Sequence, residues 1–445
     1  MSLKSGNNFK GWRKERREPS LPESFASIHV PEGAGFLRKL FAFVGPGLLV
    51  AVGYMDPGNW ATDIAGGSNF GYSLLSVILI SNFFAVILQH LSLKLGIVAE
   101  RDLAQACRDH YGKGANIMLW ILAEIAIAAC DLAEVIGSAI ALNLLFGLPL
   151  VWGVLITSLD VLIILFLQHK GFRIIEAFIA VLIFTIMGCF IYEIIMSKPE
   201  VFLILEGFIP EKEIVTNGKM FYLAIGILGA TVMPHNLYLH SSIVQTRNYP
   251  RSEEGKKSAI QFATIDSTVS LFLAFFINAA ILITSAAAFH YKGYHGVGEI
   301  FDAYKLLTPV LGATLASSIF ALALLASGQN STLTGTLAGQ IIMEGFLHFS
   351  MKPWMRRMIT RLFAIVPAVF VAFYYGEEGT SELLVLSQVI LSMQLSFAVF
   401  PLVAFTSDKA KMGKFANRAW LKITAWSIAI LIAALNGFLL VDAFL

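Results

Sequence analysis

Apolar runs of about twenty residues recur from residue 41 to the C-terminus, and no other feature restricts this chain's fold as strongly. Each run is close to the length that carries an α-helix across the roughly 30 Å hydrocarbon core of a bilayer. In lipid every backbone N–H and C=O must find its partner within the chain, which makes these runs helices. Eleven spans are expected: 42–69, 72–97, 115–145, 149–168, 174–197, 220–246, 259–288, 309–345, 359–375, 381–405 and 419–441. Of the 445 residues 57% are hydrophobic and 14% charged, against about 25% charged in a soluble domain. An all-α polytopic membrane protein follows, with no long soluble region for separate catalysis or nucleic-acid binding.

The first 40 residues are polar, include the basic run "KGWRKERR" and have no apolar stretch of the kind a cleaved signal peptide needs. They read as a disordered cytoplasmic tail. With the N-terminus inside, the tail, Lys94 and the loops 99–114, 169–173, 247–258, 346–361 and 406–422 hold 27 of the 32 Lys and Arg residues. That bias is the positive-inside pattern. It expects a multi-pass protein of the plasma membrane, with an odd number of spans leaving the C-terminus outside. Cys107, Cys130 and Cys189 have neither paired nor CxxC spacing and read as ordinary residues.

No Lys or Arg lies well inside a span, but acids do: Asp56, Asp63, Glu124, Asp131, Glu134, Asp160, Glu176, Glu193 and Asp266. Ionisable groups in a membrane are costly and mark ion or proton routes. A set of one sign points to a cationic substrate. For Asp160, Glu176, Glu193 and Asp266, which sit near span ends, bonding to neighbouring helices is the plainer expectation.

Two spans are interrupted. Span one contains "GYMDPGNWATD" and span six "GATVMPHNLYLH", and Asp56-Pro57-Gly58-Asn59 falls on Met233-Pro234-His235-Asn236 at an offset of 177 residues. Broken helices at matching positions of two halves indicate an inverted-repeat transporter with its site at mid-membrane. The expected units are a first repeat, 41–197, an extracellular loop, 198–218, a second repeat, 219–405, and a final cytoplasmic loop and span, 406–445. Proline has no N–H, so Pro57 leaves the Gly53 carbonyl and Pro234 the Ala230 carbonyl without a helical partner. Such oxygens are tolerated in lipid only where they line a cavity or find another partner. A dehydrated cation, held also by Asp56, Asn59 and Met233, would satisfy them. Carboxylate, amide and carbonyl are hard donors, whereas a thioether is soft, and together they suit Mn²⁺, Fe²⁺ or Co²⁺ and admit Cd²⁺. Packing is the alternative role for Met233. His235 could ligate, accept a proton or sit as a satisfied core histidine.

Glu124, Asp131 and Glu134 in "LAEIAIAACDLAEVIG" fall within roughly an 80° sector of one helix face. Such a stripe reads as a proton relay, or as a buried ion-pair network with Arg361 as partner; both can hold. "SGQNSTLTGTLAGQ" of span eight is rich in the small residues that allow close helix contact; its Asn330-Ser331-Thr332 acceptor pattern lies inside a span and is discounted. Gln388 and Gln394 of span ten either face the cavity as amide ligands or bond between helices.

The paired motifs Asp56-Pro57-Gly58-Asn59 and Met233-Pro234-His235, with the span-eight stretch, resemble the Nramp family of proton-coupled divalent metal transporters, in particular its bacterial manganese branch. The likeness runs from about residue 40 to the end. It implies a LeuT-like fold of two five-helix inverted repeats plus one helix, broken at Pro57, Gly58 and Pro234. It implies Mn²⁺ or Fe²⁺ symport with protons, no enzyme activity and no cofactor besides the transported ion. By motif, it implies metal ligation by Asp56, Asn59, Met233, Gln388 and the carbonyls of Ala230 and Gly53. It implies a proton route through His235, Asp131, Glu134 and Glu124. A monomer in the bilayer is expected. An amino-acid transporter of the same fold would place a Gly-rich unwound stretch where Asp56 and Met233 stand. A channel would show a ring of like acids, and an intramembrane protease a zincin spacing, which His235 and His240 lack.

Overall fold

The computed structural model describes residues 11–15, 18–31, 33–157, 159, 171–294, 297, 299–312, 315–347 and 353–444. Among the described residues seven helices are long and apolar enough to cross a membrane on length and composition, eight with one bent pair counted as a span. Spans two, three, five and seven are the unbroken helices Leu75–Ala99, Lys113–Phe146, Phe172–Ser197 and Glu253–Ala288. Spans nine, ten and eleven are Pro353–Tyr374, Gly376–Ser407 and Ala419–Phe444. Span four is described only at its start, Leu150–Thr157, and Asp160 lies outside the described residues.

Two span boundaries differ from the expectation. Span one carries an additional break: helix Phe36–Phe43 stops at Val44, and Pro46–Gly53 starts after a 45° bend. Gly45 makes the turn at φ +139°, where a side chain would be strained, and its Cβ would lie 2.2 Å from the Glu176 carboxyl. The amides freed by the bend are taken up by Asp266, which accepts from Gly45 N–H at 3.3 Å and Gly47 N–H at 2.6 Å. The freed carbonyls are taken up by two guanidiniums. Arg247 donates to the Ala42, Phe43 and Val44 oxygens, Arg173 to those of Phe41, Ala42 and Val44. Glu176 pairs with both, at 2.7 Å to Arg247 and 3.0 Å to Arg173. Span eight begins at Ala316 rather than 309, because residues 309–311 end a separate helix, Ile300–Leu311, closed by Gly312 at φ +65°. The expected loop 198–218 holds two short helices, Val201–Gly207 and Glu213–Thr216.

The tail is not free chain over its described part. Trp12 is 5% exposed, and Ile28–His29 forms a two-residue parallel ladder with Arg247–Asn248. A reading from polarity alone missed this, because backbone bonds and one tryptophan carry the docking.

Span three runs along span eight, and both are close to the broken helices. Glycines set the spacing. A Cβ at Gly328 would lie 2.2 Å from Ser138 Oγ, and one at Gly137 would lie 2.1 Å from Pro57 Cβ. Where lipid supplies no hydrophobic drive between helices, such small residues let backbones approach.

Candidate metal centre

Both interruptions are present. Helix Pro46–Gly53 ends at Tyr54, and Pro57–Phe70 begins with proline at its first turn. Between them Asp56 is extended (φ −70°, ψ 165°) and accepts from the Asn59 N–H at 2.9 Å through Oδ1. It is therefore an N-cap, and the break is locally encoded: an Asp cap before a proline that needs no N–H partner. Span six repeats the pattern, with Gly218–Thr231, an extended Met233 (φ −72°, ψ 126°), then Pro234–Ile243.

The two breaks meet. A Cβ on Gly53 would lie 2.2 Å from Asn236 Nδ2. Gln388 wedges between them: a Cβ on Gly58 would lie 1.7 Å from its Nε2, and one on Gly229 2.3 Å from its backbone oxygen. Its Nε2 is 3.5 Å from Asp56 Oδ2. Met233 is fully buried, packed with Ala126, Cys130 and Leu391. Asp56, Asn59, Ala230, Met233 and Gln388 are all at most 1% exposed.

The donor chemistry fits a cation. Asn59 donates its Nδ2 to the Tyr54 carbonyl at 3.0 Å, which ties the nitrogen end of the amide. Asn278 Nδ2 reaches the same carbonyl at 2.8 Å. Asn59 Oδ1 and Gln388 Oε1, both buried, have no hydrogen-bond partner among the described residues. Buried polar atoms are rarely left so. Two orphan amide oxygens beside a carboxylate, two carbonyls robbed of their partners by Pro57 and Pro234, and a thioether form a mixed hard and soft set. Among the described residues no three His, Cys, Asp or Glu side chains could hold a metal together.

The acids of span three separate by depth. Asp131 and Glu134 are fully buried, with Gly335 of span eight so near that its Cβ would lie 2.6 Å from Glu134 Oε1 and 3.6 Å from Asp131 Oδ1. Glu124 is half-buried and accepts from Trp120 Nε1 at 3.0 Å. The side chain of Arg361 lies outside the described residues. His235 is 1% exposed, with Nε2 3.8 Å from Cys130 Sγ and Nδ1 without a hydrogen-bond partner among the described residues. Cys130 also lies 3.5 Å from Glu134 Oε1. Its thiol therefore stands between the second break and the acids, a position the reading of cysteines as ordinary residues missed. The available clue was its spacing of four from Glu134 on the same face.

Of the four acids near span ends, Glu176 and Asp266 hold the bend at Gly45, as the plainer expectation had it. Glu193 is buried with neither oxygen hydrogen-bonded among the described residues. Gln394 lies beside Tyr238 of the helix that follows the second break and borders an apolar groove with Leu122, Ile390, Phe397 and Leu440. A further buried chain reaches the first break, from His240 Nδ1 to Gln89 Oε1 (2.9 Å) and Gln89 Nε2 to Tyr54 Oη (3.0 Å).

Comparison with known proteins bears on this arrangement. Residues 47–442 match the family model described as "Nramp: Natural resistance-associated macrophage protein-like". The chain is 64% identical over 437 residues to the divalent metal cation transporter MntH of Listeria welshimeri, covering 98% of each. It is 61% identical over 425 residues to the protein of the same name from a Nostoc species, covering 96% of each. It superposes on the crystal structure of the Eremococcus coleocola manganese transporter with a TM-score of 0.87 at 42% identity, over 94% of this chain and 90% of that one. Mhp1, a nucleobase-cation-symport-1 transporter, shares the fold alone, with a TM-score of 0.61 at 15% identity over 94% of this chain and 93% of that one.

Proposed function

We propose that this chain, which belongs to the Nramp family of membrane transporters, imports divalent transition-metal ions by symport with protons. Mn²⁺ is the foremost substrate, and Fe²⁺, Co²⁺ and Cd²⁺ are further cargo of the same donor set. The protein is a transporter, not an enzyme. The observation that carries the reading is the convergence of two proline-broken helices on Gln388, with orphan amide oxygens beside Asp56. The names of the relatives support the substrate class.

The ion would be held by Asp56, Asn59, Met233, Gln388 and the carbonyls of Gly53 and Ala230. Met233 supplies the preference for later transition metals over Ca²⁺ and Mg²⁺, because a thioether gains little from a hard ion. Asp131, Glu134 and Glu124, reached from the site through His235, would carry the proton, with Arg361 as counter-charge. The basic bias supports an N-terminus in the cytoplasm and a C-terminus outside. The protein acts as a monomer in the plasma membrane on this reading, with no cofactor besides its cargo.

The test is Mn²⁺ uptake into proteoliposomes with and without an inward proton gradient, with internal pH followed at the same time. The gradient should accelerate uptake, and Mn²⁺ should acidify the lumen. Metal flux indifferent to the gradient, with no proton flux, would refute the coupling.

A further inference from the structure

The segment ahead of the first span lies across three elements: the connections after spans two and ten and the end of span six. Trp12 sits between two cations, 5.0 Å from Arg101 and 5.3 Å from Lys411, with its ring edge-on to Phe405 at 5.4 Å. Arg101 belongs to the connection between spans two and three. Lys411 belongs to the connection between spans ten and eleven. Next to Trp12, Arg13 N–H donates to the Asp109 carbonyl at 3.0 Å and Lys14 Nζ to the Arg108 carbonyl at 2.9 Å. Gly11 packs so close that a Cβ would lie 2.9 Å from Ala410 Cβ. Further along, Gln105 Nε2 donates to the Glu18 carbonyl at 2.8 Å and Ser20 Oγ to Asp102 Oδ2 at 2.5 Å. The segment then crosses to the end of span six. Ala26 N–H donates to the Gln245 carbonyl at 3.0 Å, Ile28 and His29 pair with Arg247 and Asn248, and Val30 N–H donates to the Asn248 carbonyl at 3.1 Å.

Two of those anchors adjoin the inner halves of the broken helices: the helix after Asp102 packs on Pro234–Ile243, and Arg247 bonds the carbonyls just ahead of Pro46–Gly53. Every residue of Pro234–Ile243 is buried, and so is Pro46–Gly53 except Leu48. A path from Asp56 to this face must displace one of these halves. Span six ends in the backbone that the segment pairs with. Arg247, in that pairing, grips the carbonyls at the end of helix Phe36–Phe43. Leu103 N–H also donates to Ser241 Oγ at 2.9 Å, so the helix that holds Asp102 is itself tied to span six. A movement of span six relative to the other two connections cannot preserve all of the segment's contacts.

We propose that residues 11–15 and 18–31 form a strap that holds the cytoplasmic face closed and must let go before the site opens inward. The strap joins the end of span six to the connections after spans two and ten by aromatic–cation contacts, backbone bonds and a short added strand. It biases the transporter against the cytoplasm-open state without touching the ion. The sidedness rests on the orientation stated under the proposed function.

The test is hydrogen–deuterium exchange of the full chain in lipid nanodiscs, read on peptides covering 46–53 and 234–246. Trp12→Ala removes the contact that joins two connections. Ser20→Ala perturbs a different anchor and keeps the test valid should the first variant fold poorly. Exchange in both peptides should rise about tenfold in Trp12→Ala, the factor that two cation–π contacts of ordinary strength carry. It should rise by a smaller factor in Ser20→Ala. Trp420→Ala, a change at an exposed tryptophan of the last span, should leave it unaltered. No rise in either strap variant, or a rise spread equally over every span, would overturn the proposal. Mn²⁺ uptake by the same preparations separates the two readings. Faster exchange in a protein that takes up no Mn²⁺ removes the transport reading and leaves the strap. Uptake with unchanged exchange does the reverse.

Discussion

Gly137→Ala is a one-carbon change outside the proposed ligand set that should reach the ion through rigid packing. A Cβ at 137 would lie 2.1 Å from Pro57 Cβ and 2.3 Å from Pro57 Cγ. Carbon atoms rest in contact at about 3.5–4.0 Å, so roughly 1.4 Å must be found. The proline ring cannot turn aside, because it closes on its own backbone. Span three cannot simply withdraw, because it packs closely on span eight. The start of helix Pro57–Phe70 must therefore shift, and Asp56 is the residue before it. Metal–ligand distances hold to about 0.2 Å, so a shift several times larger takes the carboxylate out of register. Mn²⁺ affinity should fall about 10- to 100-fold, the range seen when the support of a metal ligand is disturbed. The overpacking itself should cost about 1–3 kcal/mol of stability, partly offset by the roughly 0.5–1 kcal/mol that Ala gains over Gly within a helix. The assay is calorimetric Mn²⁺ titration of purified protein, with a melting curve on the same sample. Gly188→Ala is the control: nothing lies within 4 Å of its Cβ, so it should change neither quantity for the worse. Unchanged Mn²⁺ affinity in a folded Gly137→Ala protein would refute the argument that Pro57 rigidly positions Asp56.

Other outcomes follow from the same geometry. Met233→Ala should relax the exclusion of Ca²⁺ and Mg²⁺ in competition uptake while lowering Mn²⁺ transport less than Asp56→Ala does; equal exclusion would show that sulfur is not the selectivity element. Glu134→Gln keeps the volume beside Gly335 but removes a charge, and should impair proton co-transport more than Mn²⁺ binding; wild-type proton flux would count against the relay. Asp102, in the connection after span two, is pushed up to about 6 by burial, although it accepts from Ser20 and caps its helix at Gln105. Its folded pKa exceeds its unfolded value, so the folded state binds this proton more tightly and its contribution to stability is lost as pH rises from about 4 to about 6. Asp102→Asn keeps the cap and should flatten the pH dependence of the melting temperature across that window; an identical slope would show that another group sets it.

Much of the architecture could be read from local chemistry. Length and apolarity mark the spans because lipid leaves a backbone no other partners. An Asp or an extended residue before proline breaks a helix wherever the surroundings tolerate it, so both interruptions were visible as patterns. The bend at Val44–Gly45 was not, because its amides and carbonyls are satisfied by Asp266, Arg173 and Arg247, all distant in the chain. The docking of Trp12 was hidden for the same reason: a polar, basic segment looks solvated until Arg101, Lys411 and Phe405 are placed around it. Cys130 read as an unremarkable thiol until folding set it between His235 and Glu134.

By itself, then, the amino-acid order determined the apolar helical character of the spans, the two interruptions and the types of donor they carry, since these depend on residues a few positions apart. Only the tertiary structure decided that the interruptions face each other, that Gln388 reaches them, and that Asn59 turns its oxygen free by tying its nitrogen to Tyr54. Helix formation is a short-range consequence of covalent geometry and solvent. Which side chains share a cavity depends on close approaches such as those at Gly58, Gly137 and Gly229, which many distant contacts fix together.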